Sequence, residues 1–191
     1  MQKNPIVIVS FARTPLGNLL GELKDFSAPQ LGAHVIKAVV DRATLTAADI
    51  HEVIMGCVLP AGQGQAPARQ AAIGAALPTS TPCTTINKVC GSGMKSVMFA
   101  HDLLVAGSTD IIIAGGMESM TNAPYLLRKV RQGYRLGHQE LYDHTVLDGL
   151  EDAYDKGQPM GYFAEQCAKH YGFTRKRSEE RRVGKECLRL C

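Results

Sequence analysis

The 191-residue chain predicts an α/β fold built on a mainly parallel sheet. Three observations carry this. Short apolar runs alternate with helical apolar periods from Pro5 to Gly116, in a β-α-β-α-β-α-β rhythm. The strand candidates are continuous in apolar residues, as in Ile6-Val-Ile-Val9, which suits a sheet covered on both faces. After Met120 the periodicity weakens and Tyr, Gly, His and charge increase, so residues 121–159 read as an insertion into the α/β body.

Taken in order, Pro5–Phe11 is the first predicted strand, and Arg13-Thr-Pro-Leu-Gly turns the chain. Ser27 is an N-cap, and Leu31, Val35, Ile36, Val39 and Val40 give the apolar stripe of a helix running to about Ala43. Thr46 with Asp49 forms a capping pattern, and Glu52–Leu59 is the second strand. A Gly/Pro loop over 60–67 leads into an Ala-rich helix, Ala68–Leu77. Thr84–Val89 is a third strand. Met94–Val105 is a helix with Met94, Val97, Met98, His101, Leu104 and Val105 on its apolar face. Gly107 ends it, and Asp110–Ala114 is the fourth strand. In the insertion, Leu147–Tyr154 is a helical segment. Met160–Tyr171 is a helix with Gly172 as its C-cap. From Arg175 no amphipathic period is visible, so a solvated, disordered terminus is expected.

Composition narrows the function classes. The net charge of +3 is concentrated at the end: residues 175–191 hold seven basic and three acidic residues, leaving the main body at about −1. The body therefore gives no reason to expect nucleic-acid binding. The six cysteines (57, 83, 90, 167, 187 and 191) show no C-x-x-C or Cys/His metal spacing, so no metal is expected. No apolar run approaches the length of a membrane span, and the N-terminal residues lack a signal-peptide core. A reducing cytoplasm is the expected compartment.

Cys90 is the candidate for chemistry. It sits between a strand and a helix, in Cys90-Gly-Ser-Gly93. Free N–H groups and the positive end of the helix dipole favour an anion there, hence a thiolate nucleophile. Gly91 and Gly93 leave room for a bulky substrate. A buried structural cysteine in a Gly-rich turn fits the same residues, and they alone leave both readings open.

The block Asn87-Lys-Val-Cys90-Gly-Ser-Gly-Met94-Lys-Ser96 resembles the acyl-enzyme signature of the thiolase family. Gly115-Gly-Met-Glu-Ser-Met-Thr-Asn-Ala-Pro-Tyr125 resembles the family's next motif. Arg13-Thr-Pro, Gly64-Gln-Ala-Pro-Ala-Arg-Gln70, Leu147-Asp-Gly-Leu-Glu-Asp-Ala153 and Met160-Gly-x-x-Ala-Glu165 follow the family order across about residues 5–174. The resemblance implies the N-terminal half of a thiolase-like fold, truncated. Residues 1–120 would be the α/β half, 121–174 part of a CoA-binding loop domain, and 175–191 a tail unrelated to the fold. It implies acetyl-CoA acetyltransferase chemistry. Cys90 would carry the acyl group as a thioester, with its backbone N–H as an oxyanion donor. Claisen condensation of two acyl-CoA molecules, or thiolytic cleavage of a 3-ketoacyl-CoA, would follow. Leu150 and Met160 match positions near the acyl and pantetheine pocket, although ordinary packing also suits them. No cofactor is implied beyond the coenzyme A thioester used as substrate. A homodimer or tetramer is implied, formed through the strands near Cys83–Asn87.

The family's second-half motifs (Asn-Glu-Ala-Phe, the Gly-His-Pro histidine and a second cysteine before Gly-Gly-Gly) do not occur in these residues. None of His34, His51, His101, His138, His144 and His170 has the Gly-His-Pro context. His101 reads as a core or interface residue, and His138 and His144 as exposed. The chain alone is therefore expected to be inactive in condensation. A ketoacyl synthase, which shares the fold and the cysteine, is one alternative. A non-catalytic fragment acting by association is the other.

Overall fold

The structure is a computed structural model that describes residues 5–182. Helix α1 is Ala28–Arg42. Ser27 and Gln30 cap it reciprocally: the Gln30 N–H donates to Ser27 Oγ at 3.4 Å and the Ser27 N–H to Gln30 Oε1 at 2.8 Å. Strand β1 is Glu52–Gly56 and helix α2 is Pro67–Gly74. Strand β2 is Cys83–Ile86, helix α3 Ser92–Ala106 and strand β3 Ile112–Gly116. The three strands form a parallel sheet in the order β2-β1-β3, with Gly56 level with Ile86 on one side and Gly116 on the other. All three strands therefore end at the same rim, as ligand-binding α/β sheets require.

Alternation along β1 sorts the two faces. Val53, Met55 and Cys57 pack with Ile36 and Val40 of α1 and Ala68, Ala71 and Ala72 of α2 in the main core. Gly56 faces α3. An antiparallel pair, β4 (Tyr125–Leu127) and β5 (Leu141–Asp143), opens the insertion. Helix α4, Met160–Tyr171, ends at Gly172, whose φ is +64°. Among the described residues no helix is long and apolar enough to cross a membrane.

Four expectations are corrected. Residues 5–11 form no strand, and Ile8 is 82% exposed. The segment runs along the free side of β3, with a cavity of about 540 Å³ between Ile6–Ala12 and Ile111–Gly116. An apolar run becomes a strand only with a hydrogen-bonding partner, and here the neighbouring edge lies beyond a gap.

Helix α3 buries the face opposite to the predicted one. Met94 is 74% exposed, Val97 and Met98 are also exposed, and so is His101, whereas Ser92, Ser96 and Ala100 are buried. Small residues win because the helix lies directly against the strand backbones. A Cβ on Gly116 would come within 3.3 Å of Gly93 Cα. The Ser96 hydroxyl sits 2.6 Å from Gly93 O and 2.7 Å from Gly115 O, tying α3 to β3.

The predicted helix Leu147–Tyr154 shrinks to one wide turn, Val146–Leu150. Of residues 175–191, expected to be disordered, 175–182 instead form helix α5, Arg175–Arg182, and 183–191 lie outside the described residues. Thr174 begins it, its hydroxyl accepting the Arg177 N–H at 3.3 Å, and Arg175 pairs with Glu179 one turn on. Cys187 and Cys191 lie outside the described residues.

Candidate active site

The rim where β1, β2 and β3 end is where Cys90 lies. The chain leaves β2 at Ile86 and enters α3 at Ser92, so only five residues make the turn. Val89 takes the left-handed conformation, φ +48°, which a β-branched residue adopts only under constraint. The Ser92 side chain bridges the turn: its Oγ accepts the Lys88 N–H at 2.8 Å and donates to Val89 O at 2.6 Å. Cys90 is exposed at the crest.

Beside it is a cavity of about 410 Å³. Its walls are Gly56 and Val58 from the end of β1, Val89, Ser92 and Gly93 from the turn, Gly116–Glu118 from the end of β3, and Ala12–Thr14 with Leu31 and Val35. Cys90 is the one cysteine in that lining, and no histidine shares it among the described residues. The lining is largely apolar, with Arg13 and Glu118 as its charged groups.

The other described thiols are poor rivals. Cys57 is 1% exposed. Burial, and then the negative charge and hydrogen bond of Glu118, push its thiol from 9.0 up to about 12. Burial raises Cys83 as well. Cys167 is exposed on α4, away from the cavity lining.

Glu118 is part of the same cavity wall as Val58. Its Oε2 accepts the Val58 N–H at 2.8 Å and its Oε1 the Leu59 N–H at 3.0 Å. The Cys57 thiol donates to Oε1 at 3.5 Å. This carboxylate thereby fixes the chain as it leaves β1. The residues alone missed it; the available signal was a single acid directly after an apolar strand, in Gly-Gly-Met-Glu118.

Leu150 lies at the end of the Val146–Leu150 turn and Met160 at the start of α4. They are 41% and 39% exposed and line neither the Cys90 cavity nor the gap beside β3. His144 is a correction: it is 4% exposed. Its Nδ1 lies 2.6 Å from Asp148 Oδ2, and its Nε2 accepts the Ala61 N–H at 3.4 Å. With Nε2 accepting, Nδ1 carries the proton. His144 therefore fastens the insertion to the loop after β1. No cluster of three metal-ligating side chains exists among the described residues.

The family model for the thiolase N-terminal domain matches residues 6–183. The chain belongs to the thiolase family. It is 50% identical over 181 residues to an acetyl-CoA acetyltransferase of Cupriavidus necator, covering 95% of this chain and 46% of that one. It is 48% identical over 176 residues to acetyl-CoA acetyltransferase 2 of Arabidopsis thaliana, covering 92% and 43%. It is 47% identical over 176 residues to the mitochondrial acetyl-CoA acetyltransferase of Bos taurus, covering 92% and 41%. The chain thus spans slightly less than half the length of these thiolase relatives, and the family match continues past residue 174 into α5.

Proposed function

We propose that this chain is the acyl-accepting portion of an acetyl-CoA acetyltransferase and that Cys90 is its nucleophile. One observation carries the reading: Cys90 is the exposed thiol of the strand–turn–helix junction and lines an apolar cavity where three parallel strands end. The Cys90 thiolate attacks the thioester carbonyl of acetyl-CoA. A tetrahedral oxyanion forms, held in part by the Cys90 backbone N–H at the start of α3. The carbon–sulfur bond to coenzyme A breaks, the coenzyme A thiolate leaves and takes up a proton, and Cys90 keeps the acetyl group.

In the whole protein a second acetyl-CoA, deprotonated at Cα, would take that acetyl group by Claisen condensation, and thiolysis is the reverse. Coenzyme A enters only as the substrate thioester. Leu150 and Met160 belong to the acyl and pantetheine path in this reading, supported by their apolar, half-exposed side chains, Leu150 in the insertion and Met160 at the start of α4. Condensation needs a base, and no histidine or second cysteine lines the cavity among the described residues, so this chain alone stops at the acyl-enzyme.

Incubating the purified chain with acetyl-CoA tests the proposal. One acetyl group is expected on the Cys90 peptide, lost in Cys90→Ser. Acetylation confined to Cys167, or none, would overturn it. Transfer from acyl carrier protein but not from coenzyme A would favour a ketoacyl synthase.

A second reading has its own observation. The exposed apolar faces of residues 6–11 and of α3 are the kind that a partner covers. On that reading the chain acts through association, as a homo-oligomer, with the free side of β2 available for strand pairing. Sedimentation of the full chain separates monomer from dimer or tetramer. The chain acts in the cytoplasm on this reading, and recovery of a tagged chain in mitochondria would overturn that.

A further inference from the structure

We infer that Asn87 is a positioning residue, holding the residue before the nucleophile in the conformation that aims Cys90 at the cavity. The inference rests on the reading that Cys90 is the reactive thiol. Val89, next to Cys90, has φ +48°. A valine left to itself avoids that region, so something must hold it there. Asn87 does so with both ends of one amide. Its Oδ1 accepts the Val89 N–H at 2.8 Å, and its Nδ2 donates to Val58 O at 3.3 Å. The first bond turns the chain over; the second anchors that turn to the loop leaving β1.

The Val58 anchor is itself fixed, because Glu118 takes the Val58 and Leu59 N–H groups. Val58 and Cys90 both line the cavity, so Asn87 sets the spacing of two of its walls. Ser92 closes the inner side of the same turn. An amide is the side chain this task requires, since it accepts and donates at once. Aspartate could accept the Val89 N–H but would set a carboxylate against the Val58 carbonyl. Alanine could do neither.

Glycine adopts a positive φ without strain, which gives a decisive test. The full chain would be prepared as parent, Asn87→Ala, Asn87→Leu, Val89→Gly and Asn87→Ala with Val89→Gly. Two rates would be measured at Cys90: alkylation by iodoacetamide and acetylation by acetyl-CoA. Asn87→Ala is expected to slow both by about tenfold, as the turn relaxes. Val89→Gly alone supplies the reference rate for a cavity without the Val89 side chain, and the double variant should react faster than Asn87→Ala and within about threefold of Val89→Gly. Recovery by a glycine that makes no new side-chain contact separates positioning from general stabilisation.

The inference is overturned if Asn87→Ala reacts within about twofold of the parent, or if the double variant is no faster than Asn87→Ala. Should Asn87→Ala fail to fold, Asn87→Leu, which keeps the bulk and loses both bonds, replaces it with and without Val89→Gly on the same terms. A parent that alkylates but does not acetylate would sink the proposed function and leave the Asn87 test intact in the alkylation rates.

Discussion

Adding one methyl group to Gly56 should damage both the fold and the site. Gly56 ends β1 under the first turn of α3. A Cβ there would lie 2.6 Å from the carbonyl carbon of Ser92, 2.7 Å from Gly93 N and 2.7 Å from Ser92 Cβ. These are main-chain and first side-chain atoms, so no rotamer change relieves the clash. Either β1 drops from the sheet or the start of α3 lifts. Overpacking of this kind costs about 1–3 kcal/mol, and the backbone contacts put Gly56→Ala near 3. For a chain of this size that is about 6–12 °C in melting temperature.

Two neighbouring glycines calibrate the effect. A Cβ on Gly116 would meet Gly93 Cα at 3.3 Å, a tight contact, and about 1 kcal/mol is expected. A Cβ on Gly115 would meet Met55 Sδ at 3.6 Å, ordinary van der Waals distance, so Gly115→Ala should be close to neutral. Thermal unfolding followed by circular dichroism ranks the three variants. Iodoacetamide labelling of Cys90 reports the lifted helix start and should slow most in Gly56→Ala. If Gly56→Ala melts within about 2 °C of the parent, or no lower than Gly115→Ala, the close-packing argument is wrong.

Three further outcomes are expected. The Cys57 thiol is raised from 9.0 to about 12, so its contribution to stability is complete below about pH 9 and disappears as pH rises toward 12. The loss is at most about 4 kcal/mol, and it should be missing in urea titrations of Cys57→Ala. Glu118→Gln offers an NH2 group to one of the two N–H donors and should cost about 1–3 kcal/mol; it should also let Cys57 label at lower pH, because the charge that helps to raise it is gone. His144→Ala removes the tie between Ala61 and Asp148, and hydrogen exchange at residues 59–63 should speed up by about tenfold or more.

What could be read in the residues was local. Ser27 and Gln30 close a capping box within four residues, and α1 starts where that pattern says. Gly172 needs only its own positive φ to end α4. Cys90 was legible for the same reason, since strand, turn and helix are contiguous in the chain. Contacts between distant segments were not legible. Residues 5–11 have the composition of a strand, but a strand is a relation to a neighbour. The apolar period of α3 is real, yet the glycines of β1 and β3 admit the helix so closely that its small residues face inward. His144 looked exposed in a polar insertion; its burial depends on Ala61, 83 residues away in the chain. Glu118 likewise grips Val58 and Leu59, some 60 positions earlier.

The contact of α3 with the sheet has one more consequence. Most helices rest on a sheet through long side chains, which hop between rotamers and let the helix slide by fractions of an ångström. Here the spacers are the glycines 56, 93 and 116 and the small residues Ser92 and Ser96. At Gly56 and Gly116 strand backbone meets helix backbone with no long side chain between them. The start of α3 is therefore registered against the sheet like a part cut to a hard stop. The sulfur two residues before it inherits that tolerance, so warming the protein should blur the insertion well before it blurs the position of Cys90.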